Sequence, residues 1–160
     1  MTWDHRFIWL AEHVSGWSKD PSTKTGAVIV RPNRTVASVG FNGFPRGIED
    51  RPELLNNREE KYKRVIHGEM NAILSAKEPI DGHTLYLWPG QSCSRCAVHV
   101  IQSGISRVVY PEIPESVFAK RWDGEIALAE LLFREAGVEI VAVDLSKLRR
   151  DDATTSMRTM

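Results

Sequence analysis

An α/β fold, one mixed five-stranded sheet with helices on both faces, is the class this sequence predicts. Apolar or β-branched runs bounded by turn residues recur at 25–30, 35–41, 83–88, 106–110 and 138–143. Helical periodicity precedes the first run and separates the later ones, giving the order α-β-β-α-β-α-β-α-β. The first two runs are joined only by the turn Arg31-Pro32-Asn33-Arg34, hence an antiparallel hairpin. The later strands are each separated by a helix, and right-handed crossovers then make them parallel. A sheet sandwiched between helix layers is the economical way to bury these faces.

The first helix is predicted over 2–17. Trp3, Phe7, Leu10, Ala11, Val14 and Trp17 fall at three- and four-residue steps, with Thr2 as N-cap and Asp4 in the first turn. The aromatic stripe is read as core packing, with His5 and His13 at the surface. Residues 18–24 form a polar turn. After the hairpin, Asn42-Gly43-Phe44-Pro45-Arg46-Gly47 is an irregular loop beside a strand end, a place where ligands bind. The charged stretch 48–64 is read as a mobile flap, with a short helix anchored by Leu54, Leu55 and Tyr62. A helix over 65–76 is broken by Pro79 and Gly82, and the continuously apolar third strand is expected in the sheet interior. The next helix covers 93–103 and stops at Gly104; a loop punctuated by Pro111 and Pro114 leads to a helix over 123–136 that stops at Gly137.

A chain of 160 residues suffices for one domain with a real core, assigned to 1–146; the polar, aperiodic segment 147–160 reads as a frayed tail. Twenty-one Lys and Arg balance 21 Asp and Glu, a neutral sum that argues against a polynucleotide partner. No apolar run approaches the roughly 18 residues of a membrane span, and no secretory signal pattern opens the chain, so a cytoplasmic location is expected. Both cysteines sit in one C-x-x-C, which supports no disulfide framework and reads as a metal or redox site.

The chemistry concentrates at two helix starts. Cys93 and Cys96, three residues apart, can point toward one ion from the first turn, where the helix dipole favours thiolates. The same dipole disfavours a charged imidazole at His67 and so suits a neutral ligand. Two sulfurs and one nitrogen make three corners of a tetrahedron, with the fourth left to water as in catalytic zinc sites. Glu69, two residues beyond His67, is read as a neighbour of the ion that moves protons. A closed structural site would need a fourth protein ligand; His99 is the candidate, and is read as an ordinary helix histidine.

His67-Gly68-Glu69 followed by Cys93-Ser94-Arg95-Cys96 resembles the H-x-E…P-C-x-x-C signature of zinc-dependent nucleobase deaminases. Further stretches resemble the deoxycytidylate (dCMP) deaminases over about residues 3 to 110: Ser18-Lys19-Asp20-Pro21, Gly26-Ala27-Val28-Ile29-Val30, the loop from Gly40 to Gly47, His67 through Ile73, and Ile101-Gln102-Ser103-Gly104-Ile105. The resemblance implies a cytidine-deaminase-like three-layer α/β/α fold, hydrolysis of dCMP to dUMP and ammonia, Zn2+, and a homo-oligomer, often with dCTP and dTTP as effectors. It implies His67, Cys93 and Cys96 as metal ligands and Glu69 as proton shuttle. Asn42 is similar to the family's sugar- or base-holding asparagine, and the backbone around Ser92 and Cys93 is placed to orient the amino group. Lys19, Asn42 and Arg46 are candidates for the 5′-phosphate. The sequence departs from the family pattern at Gly68, usually Ala; at Ser92, usually Pro; and in the loop 89–92, about one residue longer. That loop borders the amino group, so it bears on base preference. A zinc deaminase of another base (cytidine, a modified cytosine nucleotide, guanine or adenine) and a non-catalytic zinc-stabilised binding domain are the competing readings.

Overall fold

The predicted strands form a single sheet in the order β2-β1-β3-β4-β5 in this computed structural model, which describes residues 1–112 and 117–146. The segment 147–160 and part of the loop after Pro111 lie outside the described residues. β1 (Gly26–Val30) pairs antiparallel with both β2 (Val36–Phe41) and β3 (Thr84–Trp88). β4 (Arg107–Pro111) and β5 (Glu139–Val143) continue in parallel from β3, as the intervening helices require. β3 is the central strand, in accord with its unbroken apolar character.

Strand alternation builds two cores. Ala27, Ile29, Leu85, Leu87 and Val108 face one side, against Ala72, Ala97, Val100 and Phe133 of the helices. Val28, Val30, Tyr86 and Val109 face the other, against Phe7, Ile8, Ala11 and Val14 of α1 (Trp3–Ser15). The first layer holds α4 (Gly68–Ser75), α5 (Ser94–Gln102) and α6 (Val117–Glu135), so the molecule is the three-layer α/β/α sandwich that was expected. α6 starts well before the predicted residue 123; Gly124, a poor helix former, obscures the earlier turns in the sequence.

α1 begins as predicted: Thr2 and His5 form a reciprocal capping box, which gives His5 a role its surface assignment lacked. The aromatic stripe is core only in its middle. Trp3, the first residue of α1, and Trp17, two residues past its end, remain 45% and 51% exposed. Trp3 stacks on Phe7 and carries the Arg6 and Arg34 guanidinium groups on its face.

The charged stretch 48–64 contains two short helices, α2 (Pro52–Leu55) and α3 (Arg58–Arg64). Its anchor is not the expected Tyr62, which is 43% exposed, but Lys61, which is 5% exposed. The Lys61 Nζ donates to Asp20 Oδ1 at 2.9 Å and to Ser22 Oγ at 3.1 Å. A charge inside a charged run looks solvated until the chain brings Asp20 over it.

Close backbone approach positions the helix that carries the motif. A Cβ at Gly40 in β2 would lie 2.2 Å from the Ala72 nitrogen and 2.4 Å from the Gly68 carbonyl oxygen, so only glycine lets α4 lie this close to the hairpin. A bridge between Gly43 and Ile66 ties the loop after β2 to the residue before His67. The Asn71 side chain donates to the Phe41 carbonyl at 2.7 Å and fixes the rotation of α4.

Candidate active site

Neither motif helix uses its N-cap side chain for capping. His67 precedes α4 and Cys93 precedes α5, each with extended backbone, and neither makes a side-chain cap hydrogen bond. Freed from capping, the two side chains meet. His67 Nδ1 lies 3.6 Å from Cys93 Sγ and 3.4 Å from Cys96 Sγ. The three donor atoms all fall within 4.8 Å of one another. With Zn–S near 2.3 Å and Zn–N near 2.0 Å, tetrahedral geometry puts sulfur and nitrogen roughly 3.6 Å apart. The donor set therefore fits a zinc ion. Among the described residues no fourth His, Cys, Asp or Glu joins the group. His99 is exposed and its Nδ1–H donates to the Arg95 carbonyl at 2.8 Å, so it is a helix histidine as read from the sequence.

The thiols titrate apart. The hydrogen bond from Cys96, then that from His67, holds the Cys93 thiol well below its ordinary range and so favours its thiolate. Cys96, the donor to that thiolate and itself buried, is pushed up. His67 is raised, chiefly by its hydrogen bond with Cys93. A dication must displace the Cys96 proton, as thiol ligands generally require.

Glu69 occupies the first turn of α4, 6% exposed, and its Oε1 accepts a hydrogen bond from Ser92 Oγ at 2.8 Å. Ser92 is 1% exposed. One residue beyond Cys93, the Ser94 hydroxyl donates to the Glu125 carboxylate, which secures α6 to the start of α5.

His67, Glu69 and Cys93 line a cleft whose apolar walls include Val65, Leu87, Trp88 and Ile126. Its polar side carries Asp20, Thr25, Asn42, Arg58, Lys61 and Gln91. Of the substrate contacts predicted from sequence, Asn42 lines this cleft, but its amide is already engaged. Oδ1 accepts from the Thr25 backbone at 2.8 Å, and Nδ2 donates to the Thr23 carbonyl at 2.9 Å and to Asp20 Oδ2 at 3.3 Å. Ser92 sits behind Glu69. The two predicted cations are elsewhere. Lys19 is turned outward onto Asp50 at 2.9 Å and borders a neighbouring depression, and Arg46, exposed in its loop, lines neither cavity.

Arg58, Lys61, Thr25 and Gln91 line the cleft and were not singled out from sequence as substrate contacts. A usable signal existed for the first two: Arg58, Lys61, Tyr62 and Val65 share one face of α3 at three- and four-residue steps, and all four line the cleft.

A facing thiol pair and imidazole, a buried carboxylate beside them and a cleft with aromatic walls define a class. The chain belongs to the cytidine and deoxycytidylate deaminase family: the model of its zinc-binding region matches residues 1–112. More particularly, the chain is 44% identical over 149 residues to an uncharacterised deaminase encoded in the luxG 3′ region of Aliivibrio fischeri, spanning 92% of this chain and 97% of that one. It is 34% identical over 147 residues to the deoxycytidylate deaminase of Mus musculus, covering 86% of this chain and 78% of the mouse enzyme. The crystal structure of the dCMP deaminase from the cyanophage S-TIM5 in complex with dCMP and dUMP superposes with a TM-score of 0.67 at 25% identity, covering 87% of this chain and 95% of the phage chain.

Proposed function

We propose that this protein hydrolyses dCMP to dUMP and ammonia, with residues 1–146 as a single catalytic domain, His67, Cys93 and Cys96 as zinc ligands and Glu69 as the proton shuttle. The observation that carries this reading is Glu69: a carboxylate only 6% exposed, near the three metal donors, on the wall of the same cleft. Bound to these donors, zinc supplies a water acidified to near neutrality. Ser92 holds Glu69 Oε1, which leaves the other carboxylate oxygen to carry the two protons of the attacking water in turn, the first to ring N3 and the second to the departing amine. Trp88 and Ile126 offer the faces between which a pyrimidine ring lies. Asn42 acts indirectly, by bracing Thr23, Thr25 and Asp20.

The 5′-phosphate contact moves from Lys19 and Arg46 to Arg58. It lines the cleft, makes no ion pair among the described residues and rests on the Tyr62 ring at 5.1 Å. The same reading has the enzyme working in the cytoplasm as a homo-oligomer, with dCTP and dTTP as effectors. Its support is that no described helix is long and apolar enough to cross a membrane, that Trp3 and Trp17 stand exposed, and that a second depression shares Asp20, Asn42 and Lys61 with the cleft.

The zinc-loaded protein is expected to release ammonia and dUMP from dCMP, and little from deoxycytidine. A wild-type protein inert toward dCMP would end this reading. Glu69→Gln is expected to lower turnover by about 10²- to 10⁴-fold, with zinc content and melting temperature retained; full activity would remove Glu69 from the mechanism.

A further inference from the structure

Among the described residues, the buried side-chain polar atoms that lack a hydrogen-bond partner are Thr25 Oγ1, Gln91 Nε2 and Gln91 Oε1. All belong to residues that line the cleft holding His67, Glu69 and Cys93. Buried polar groups are nearly always paired, and an unpaired one is costly. The contrast with Asn42 is direct: it is a carboxamide on the same cleft, and protein groups engage both ends of its amide. Gln91 is 8% exposed, adjoins Ser92 and lies two residues before Cys93. The fold thus supplies partners for Asn42, Asp20 and Lys61 on this wall and leaves the Gln91 amide, with the Thr25 hydroxyl, unpaired beside the cleft.

The chemistry of the ring decides which ligand atom. The N3, C4 and amino edge of cytosine is where proton transfer and attack occur, and it belongs to Glu69 and the metal donors. The remaining exocyclic group, the C2 carbonyl, is a pure acceptor and needs a donor. A glutamine amide offers two N–H groups, and its last torsion is broad enough to turn them toward a ring at little cost. We propose that Gln91 is a base-binding residue of this site, donating from Nε2 to the C2 carbonyl oxygen of the cytosine ring. This assignment rests on the reading of the protein as a cytosine nucleotide deaminase.

The C2 carbonyl is common to dCMP and dUMP, so this hydrogen bond stabilises substrate and product alike. Its loss weakens both and leaves the chemical step less affected. The free protein does not use the amide, so replacing it with an apolar side chain of similar length does not weaken the fold. In zinc-loaded Gln91→Met, KM for dCMP and the inhibition constant of dUMP are expected to rise together by about three- to tenfold, with kcat changing less. Its melting temperature is expected to equal or exceed that of the wild type. Gln91→Glu, which keeps the shape but presents only acceptors at neutral pH, is expected to lose at least as much affinity. Binding constants within twofold of wild type in both variants overturn the assignment, as does a lowered melting temperature with KM unchanged, the mark of a structural role. Failure of the wild type to turn over dCMP is a separate outcome that sinks the functional reading and this inference with it.

Discussion

A hydroxyl and a carboxylate, both closed off from solvent, meet where Ser92 Oγ donates to Glu69 Oε1 at 2.8 Å. Proline, usual before the first cysteine in the family resemblance, has no such donor. The departure at 92 therefore adds a brace to the proposed proton shuttle. Ser92→Ala is expected to lower kcat by about ten- to a hundredfold, the scale of a lost hydrogen bond to a charged group, with zinc content unchanged; an unaltered kcat would show that α4 alone aims the carboxylate. The departure at 68 has a steric counterpart. A Cβ there would stand 3.1 Å from Thr25 Oγ1 and 3.3 Å from the Thr25 carbonyl oxygen, tight enough to push that hydroxyl along the cleft wall. Both unusual residues thus shape the lining of the cleft and leave the ligand triad intact.

At the scale of elements, the wall formed by α3 depends on one buried ion pair. Lys61 and Asp20 side chains are 6% and 8% exposed, and Asp20 is satisfied further by the backbone N–H groups of Ser22 and Thr23. Lys61→Ala strips the cation from a buried carboxylate and is expected to cost about 3–5 kcal/mol. Urea denaturation measures the loss, and faster amide exchange over 58–64 would locate it. On the opposite face, Asp4 of α1 accepts two hydrogen bonds from Arg107 of β4, each 2.9 Å, and one from Tyr86 Oη at 2.8 Å. The Arg107 bonds hold the Asp4 carboxyl below the usual carboxylate range against the opposing effect of its burial. A depressed carboxylate stabilises the fold above its unfolded pKa, and the contribution disappears as pH falls through the folded value. Acidification from about pH 5 to about pH 2 should therefore erode wild-type stability more steeply than that of Asp4→Asn; parallel curves would show that this contact carries no pH-linked stability.

For the molecule as a whole, the metal couples the two motif helices. The ligand atoms would come from Cys96 of α5 and from the residues that precede α4 and α5, and both helices contribute small side chains, Ala72 and Ala97, to one core cluster. Removal of zinc with a chelator is expected to abolish turnover and lower the melting temperature, because an ion bound only by the folded state stabilises it. The raised Cys96 thiol gives a second readout. Zinc uptake at neutral pH releases its proton, so affinity rises by about tenfold per pH unit for each proton displaced. Calorimetry in buffers of different ionisation enthalpy counts those protons, and a count of zero would contradict thiolate ligation by Cys96.

Much of this architecture was legible in the residues because it rests on local spacing. C-x-x-C places two sulfurs in one helical turn, a two-residue offset separates Glu69 from His67, and a turn too short for a crossover makes the first strand pair antiparallel. Thr2, Gly104 and Gly137 mark helix ends by their own backbone chemistry, and the structure keeps all three marks. The substrate side of the site was not legible in this way. Whether Lys19, Lys61 or Arg58 is left without an acidic partner depends on tertiary contacts, and whether Arg46 reaches a cavity depends on where its loop lies. Those partners are remote in sequence: Asp50 lies 31 positions from Lys19, and Asp20 lies 41 from Lys61. Likewise, the engaged amide of Asn42 and the unpaired amide of Gln91 look alike on paper. Covalent spacing by itself determined the sheet, the starts of the two motif helices and the metal donors. Which polar groups are consumed by the fold and which stay unpaired was settled only when distant segments packed together, because a hydrogen bond or ion pair is spent by whatever neighbour three-dimensional packing brings within about 3 Å.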